Sequence, residues 1–521
     1  MDVGFLEVAS AIAASAGALA RVTRVRRVHV LGVPLLLLGW IGLLATIVPD
    51  ALADGWALLA GAVLGAVGVL LARVLDRHVA WLLALGALVL TIRVPVPTGD
   101  GESSMLLGPL YAVIGLLALL VFRRELVAVR SGDRVLPDRG GATRLLDVGA
   151  ALLPATATLS LTWSFDALAT TQALAFFLVP FVLLYACVRS LASDGVDLVP
   201  SAWALIAAGG IAAIVGVVQH ATGEVWWNPK VIDANRFRAD FRTNSLYWDP
   251  NMYGRALVVA ALAVVALLLV RRLTRRGTPA LGALLALFAL ALWYTYSQSS
   301  WVALAAALTV VAVLTLPPNP RRWVAAALLV LVLVGTPAAA RQLAGDDASG
   351  RRDVVNTGLS LAAERPVLGW GIGTFEEAAR ARELERGDLD PGLVASHTTP
   401  ITVFAELGLL GAFTYLTLLA SATVTILARW RRTSTPAAAA RRRGDDDAAT
   451  GWPIAPIIWA SAVLPALVAH SLLYAGFFED PTLWVVLAVL ASLPTTLDGD
   501  ELDAAAPTDD VHDRPVSPAF P

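Results

Sequence analysis

The sequence predicts an all-α polytopic membrane protein, and three observations carry the prediction. Of 521 residues, 57% are hydrophobic and only 15% are charged, whereas a soluble chain averages about 25% charged residues. Mean hydropathy is +0.70. Apolar runs of roughly 17–25 residues recur from end to end, each long enough to span a hydrocarbon core. These runs are continuous rather than alternating, which excludes a transmembrane β-barrel. The expected architecture has about 12–15 transmembrane helices, with a large, partly helical extracytoplasmic loop between about Arg341 and Thr399.

Taken in order, spans are expected near Val3–Ala20, His29–Val48, Ala51–Leu75, Val79–Ile92, Met105–Phe122, Leu145–Trp163, Ala167–Val188 and Ser201–Val218. Further spans follow at Asn251–Val270, Pro279–Tyr296, Ser299–Leu316, Trp323–Ala340, Pro400–Ala428, Pro453–Ala475 and Pro481–Leu493. The first run follows acidic Asp2 and precedes its arginines, so it does not read as a cleavable signal peptide. Arginine clusters at 21–27, 73/77, 123–144, 189, 271–276, 321/322 and 429–443 occupy every second loop. The positive-inside rule places those loops in the cytoplasm and the N-terminus outside. The alternate loops, including Gln219–Pro250 and Arg341–Thr399, then face out. The expected organisation is an N-terminal transmembrane extension (1–78), a transmembrane core (79–428), a cytoplasmic low-complexity loop (429–452), C-terminal helices (453–496) and a disordered acidic tail (497–521).

Composition narrows the chemistry. A net charge of −2 gives no basic field for nucleic acid. A single cysteine, Cys187, excludes intramolecular disulfides and cysteine metal clusters. No metal or cofactor is expected.

Two polar segments interrupt the apolar pattern on the outer side. The first runs from Gln219 to Tyr253 and carries Trp226, Trp227, Tyr247 and Trp248, which suit headgroup depth. Asp249-Pro250 predicts a capped helix start. Arg236, Arg238 and Arg242 precede it, and their planar guanidinium groups suit either lipid headgroups or a phosphate clamp. The second segment, Ser349–Gly411, opens with Ser-Gly-Arg351-Arg352-Asp353. Val354, Val355, Leu359 and Ala362 recur at helical spacing, which predicts a short amphipathic helix over Asp353–Glu364. Arg351 beside its free N–H groups would make an anion site. Gly369, Gly371 and Gly373 then read as a turn that allows close backbone packing, not as a nucleotide loop. His397 stands at the start of the next apolar run, where a neutral imidazole could take a proton. Glu406, inside that run, is an intramembrane carboxylate and a functional candidate for that reason.

These residues carry a resemblance. RPVLGWGIGTF, then His397, then AELGLLGAF is similar to the signature of the O-antigen ligase family. Arg242 followed by Asp249-Pro250-Asn251, and SQSSW at 297–301, resemble further family motifs, so the specific match spans about 242–418. Gln298 stands where the family often has arginine, and Thr-Thr-Pro follows His397 in place of the usual Asn and aromatic. The resemblance implies a twelve-helix core with an N-terminal addition. It also implies a metal-independent, inverting membrane glycosyltransferase that moves a glycan from undecaprenyl pyrophosphate to an acceptor hydroxyl. Implied partners are that donor, a glycan, lipid or protein acceptor, and membrane lipids. The implied location is the cytoplasmic membrane, with the site on its outer face. Arg242 and Arg351 would hold the pyrophosphate and His397 would act as base or orient the acceptor. Arg236, Arg238, Asn251, Arg352 and Glu406 are the accompanying substrate-binding candidates. An exopolysaccharide polymerase of the same superfamily and a lipid-linked sugar flippase are the rival readings.

Overall fold

Every predicted span that falls among the described residues is a helix. The computed structural model describes residues 4–47, 55–90, 92, 94–97, 103–132, 141–237, 240–270, 277–315, 347–386, 398–433, 454–474 and 476–492. The predicted span at 323–340, most of the low-complexity loop and the acidic tail lie outside them. The helices are α1 (Phe5–Ala20), α2 (Arg26–Ile47), α3 (Gly55–Leu75), α4 (Val79–Val89), α5 (Gly108–Ser131) and α6 (Gly141–Leu159). Next come α7 (Ala167–Ser193), α8 (Val199–Thr222), α9 (Pro229–Phe237), α10 (Pro250–Val270), α11 (Gly277–Thr295) and α12 (Gln298–Thr315). The remainder are α13 (Asp347–Glu364), α14 (Phe375–Arg386), α15 (Thr399–Thr433), α16 (Ile454–Ser471) and α17 (Pro481–Ser492). Eight of these, among the described residues, are long and apolar enough to cross a membrane. This is an all-α multi-pass membrane protein. A short antiparallel hairpin, β1 (Val94–Pro97) and β2 (Ser103–Leu106), joins α4 to α5.

One hydrophobic core runs from Ala11 in α1 to Ala491 in α17. The first two helices are part of it. Small residues let α1 and α2 approach closely: a Cβ on Gly17 would lie 2.7 Å from the Leu36 nitrogen. Ser15 of α1 donates to the Ala155 carbonyl of α6.

Ionic contacts sort the helix ends into two groups. At one end Arg21 meets Glu125 at 2.8 Å, Arg189 meets Asp147 at 2.9 Å, and Arg124 meets Asp76 at 2.6 Å. Thr425 also donates there to the Ala142 carbonyl, which brings in the far end of α15. These are the arginine-rich loops of the sequence. At the opposite end the 160–166 connection meets the glycine-rich turn, and Phe165 N–H donates to the Trp370 carbonyl at 2.8 Å. Thr243 N–H likewise donates to the Tyr294 carbonyl, and Arg255 pairs with Asp480. Both polar segments predicted to lie outside therefore share one end of the bundle.

The second polar segment is a folded cap. Val354, Leu361, Phe375, Ala378, Ala379 and Ala405 form a small core of their own beneath α13 and α14. Two expectations are corrected here. Helix α13 starts at Asp347, not Asp353, and an acidic residue in that first turn suits the positive helix end. Arg351 therefore sits one turn inside, and the free N–H groups belong to residues 347–350. On the inward face Leu361 replaces the predicted Leu359, which is 49% exposed.

Candidate active site

The first polar segment is drawn together around Arg242. Asn235, near the end of α9, donates to the Arg242 carbonyl and accepts from its N–H, at 2.9 and 3.0 Å. This two-way amide clasp fixes the backbone. The side chain then donates from Nε to the Thr295 carbonyl at 2.9 Å and from Nη2 to Asn251 Oδ1 at 3.4 Å. Asn251 begins α10 as predicted: its N–H donates to Asp249 Oδ1 at 2.6 Å. Arg242 and Asn251, the two ends of one predicted motif, are thus in contact. Arg236 lies elsewhere, in an exposed pair with Asp233. His220 stacks on Tyr294 with centroids 3.6 Å apart.

The second segment is locked by its glycines. Gly371 has φ +107, a region that side chains with a Cβ rarely enter, and a Cβ there would lie 2.6 Å from Ser164 Oγ. The turn inserts into a break in α15, where Gly408 adopts φ 62 and ψ −157. A Cβ on Gly408 would overlap the Val367 carbonyl. The broken helix leaves backbone groups open, and the turn takes them up. Trp370 N–H donates to the Ala405 carbonyl at 3.1 Å, Gly371 N–H to Glu406 at 2.8 Å, and Leu409 N–H to Pro366 at 2.8 Å.

Glu406 belongs to this lock. Its carboxylate accepts from Phe375 N–H at 3.2 Å, which ties the start of α14 to the broken helix. Expected as a substrate-binding candidate, it is held by the turn. Around the turn, Arg365 lies 4.0 Å over the Trp370 ring, and Trp370 Nε1 donates to the Leu361 carbonyl. Arg351 and Arg352 fall in α13, on this same cap. Arg238 and His397 lie outside the described residues.

Glu377 in α14 adds a pH-sensitive element. Burial pushes its carboxyl above the ordinary glutamate range, helped by nearby Glu376 and Asp166, although its own backbone N–H and Arg380 pull the other way. A raised carboxyl pKa gives stability that is complete below the unfolded value and is lost as pH rises through the folded one. Glu377→Gln is therefore expected to raise the melting temperature at pH 8 and to leave it unchanged at pH 4, measured by thermal unfolding in detergent.

Sequence reasoning missed a buried polar cluster beside Asn251. Arg255, one turn further along α10, pairs through Nε with Asp480 Oδ2 at 2.8 Å, with both side chains at most 10% exposed. Its Nη1 donates to the Gly476 carbonyl at 3.3 Å. Asp480 also caps α17 by accepting from Thr482 N–H at 2.8 Å. Fully buried His470 of α16 lies 3.1 Å from Ser299 Oγ, and Ser297 and Ser300 extend the chain of hydroxyls. Tyr474 hydrogen-bonds Asp249. Gly476 accepts from Arg255 of α10, and the two residues after it reach α15, so the connection between α16 and α17 touches helices that carry both polar segments. Phe477 and Phe478 clasp Tyr415 of α15 edge-on, at 5.9 and 5.8 Å. The signal for Arg255 was an arginine inside the apolar run at 251–270, suspect on the same ground as Glu406.

The O-antigen ligase family model matches residues 282–416. Those residues run from α11 through the cap and past the break in α15. That stretch of the chain is similar to the O-antigen ligase family. No curated protein matches the chain. In the matched stretch the SQSSW serines, the glycine-rich turn and Glu406 all stand at the end of the bundle that Arg242 and Asn251 occupy. Arg242, Asn251 and Arg255 precede the matched stretch, and Asp480 follows it. The polar cluster therefore joins that stretch to helices on either side of it.

Proposed function

We propose that this protein is a membrane glycosyltransferase that moves a glycan from a polyprenyl diphosphate carrier to an acceptor hydroxyl. The site would lie at the outer face of the cytoplasmic membrane. One observation carries the reading: the stretch matching the O-antigen ligase family builds the same end of the bundle as the Arg242–Asn251 contact. Arg21, Arg124 and Arg189, from the arginine clusters that occupy every second loop, gather at the opposite end, which supports an outward orientation for this one. The division into a 79–428 core with flanking elements belongs to the same reading.

The chemistry needs little from the protein beyond charge and position. The acceptor oxygen attacks the anomeric carbon, the bond from that carbon to the diphosphate oxygen breaks, and the configuration inverts. The leaving group is already an anion, so it needs cations placed where its charge grows. Arg242 supplies one from the first segment, with its guanidinium oriented by Thr295 and Asn251. Arg351 supplies another from the cap, with Arg352 next to it in the same helix. His397 takes the hydroxyl proton. Glu406 acts as a positioning residue, because it anchors the turn on which the cap is built. Arg255, one turn along α10 from Asn251, ties that helix to α17 through Asp480. Neither metal nor cofactor enters this scheme.

Three alanine variants test it: Arg242→Ala, Arg351→Ala and His397→Ala, each checked for membrane insertion. Transfer is measured from a purified polyprenyl-diphosphate glycan. His397→Ala is expected to lose about 10²–10⁴-fold, the range for a general base. Wild-type transfer by all three variants would remove the mechanism. Offering the same glycan as acceptor separates chain extension by a polymerase from transfer to a different anchor.

A further inference from the structure

Helix α7 is not regular. Residues Leu174–Leu178 form a π-helical turn, and Val179 N–H bonds back to Leu174. Such a turn is one residue wider than an α-turn, is rare, and recurs at functional sites. Here two helices hold it open. Trp40 of α2 donates from Nε1 to the Ala175 carbonyl at 2.7 Å. Tyr111 of α5 donates from its hydroxyl to the adjacent Phe176 carbonyl at 2.5 Å. The two rings meet edge-on at 5.7 Å, so each fixes the other.

The first two turns of α7, Ala167–Ala173, lie just before the bulge and are the platform for the glycine-rich turn. Thr170 Oγ1 donates to the Ile372 carbonyl at 2.7 Å, and a Cβ on Gly373 would lie 2.6 Å from Ala173 Cβ. Ser160 completes the platform by accepting from Ile372 N–H at 3.1 Å. Removing one residue of winding would rotate Ala167–Ala173 by about 100° against the rest of α7, since an α-helix turns that much per residue. Thr170 and Ala173 would then face away from the turn. The bulge therefore sets the direction in which the platform points.

We infer that Trp40 and Tyr111 are positioning residues that orient the outer cap through the π-turn of α7. They touch no reacting atom. This gives the first helix pair a role in the site: α2 reaches across the bundle to set the platform for the turn that carries α13 and α14. Its effect on transfer rests on the transferase reading; its effect on the turn does not.

The test is hydrogen–deuterium exchange on the full chain in nanodiscs, comparing wild type with Trp40→Phe, Tyr111→Phe and the double variant. Tyr111→Phe keeps its ring and removes only the hydroxyl donor, whereas Trp40→Phe removes the indole N–H together with the five-membered ring. Exchange in peptides covering 365–374 is expected to rise at least about tenfold in the double variant, with protection of α10 and α16 unchanged. In the transfer assay the double variant is expected to lower kcat while leaving donor KM within about twofold. Unchanged exchange at 365–374 overturns the inference, and so does a uniform rise across all helices. Should the double variant unfold, Tyr111→Phe alone is read by the same criterion. Exchange that rises as expected in a protein showing no transfer would leave the positioning role standing and refute the transferase reading.

Discussion

Replacing Arg242 by alanine is expected to slow glycan transfer by about 10²–10³-fold, the usual cost of removing one preorganised donor at a developing charge. The loss should fall on kcat more than on donor KM, because the charge on the diphosphate oxygen grows as the glycosidic bond breaks. Arg242→Lys should recover only part of the rate. A lysine keeps the charge but cannot reach Thr295 and the substrate with one rigid planar group. Asn251→Ala, which removes the side chain bonded to Nη2, should give a smaller loss of the same kind. Equal kcat in wild type and Arg242→Ala, with the variant correctly inserted, would show that the guanidinium does not meet the leaving group.

The second large effect concerns stability. Asp480→Asn keeps a side-chain oxygen to cap α17 but removes the charge opposite Arg255. It leaves a guanidinium buried without its carboxylate, which costs about 3–5 kcal/mol. The double variant Arg255→Met/Asp480→Asn should regain most of that, since an apolar chain of similar length fills the space without needing a counter-charge. Thermal unfolding of the four proteins in one detergent gives the cycle. Additive losses in the double variant would mean that the pair does not interact. Transfer by the double variant then separates two roles for Arg255. Restored activity marks it as a structural tie between α10 and α17, whereas stability regained without activity places its charge at the reaction.

Much of the fold was legible because lipid imposes one rule on every segment. A chain crossing it must satisfy its own backbone, so apolar length alone located the helices. Arginine placement sorted their ends, and Asp249-Pro250 marked the start of α10 through local capping chemistry. Gly369, Gly371 and Gly373 announced a close approach. These signals are short-range, and a sequence carries them in order. Other features depend on partners far away in the chain. Nothing near Glu406 says that its carboxylate meets Phe375, nor does the run around Arg255 name Asp480, more than two hundred residues on. The inward turn of Leu361 follows from the small core beneath the cap. The π-turn in α7 follows from Trp40 and Tyr111. Local hydropathy determined which segments are long and apolar enough to cross a membrane and which polar residue types stand between them. Which of those side chains touch was decided by helix packing alone, because long-range pairing leaves no periodic trace in the sequence.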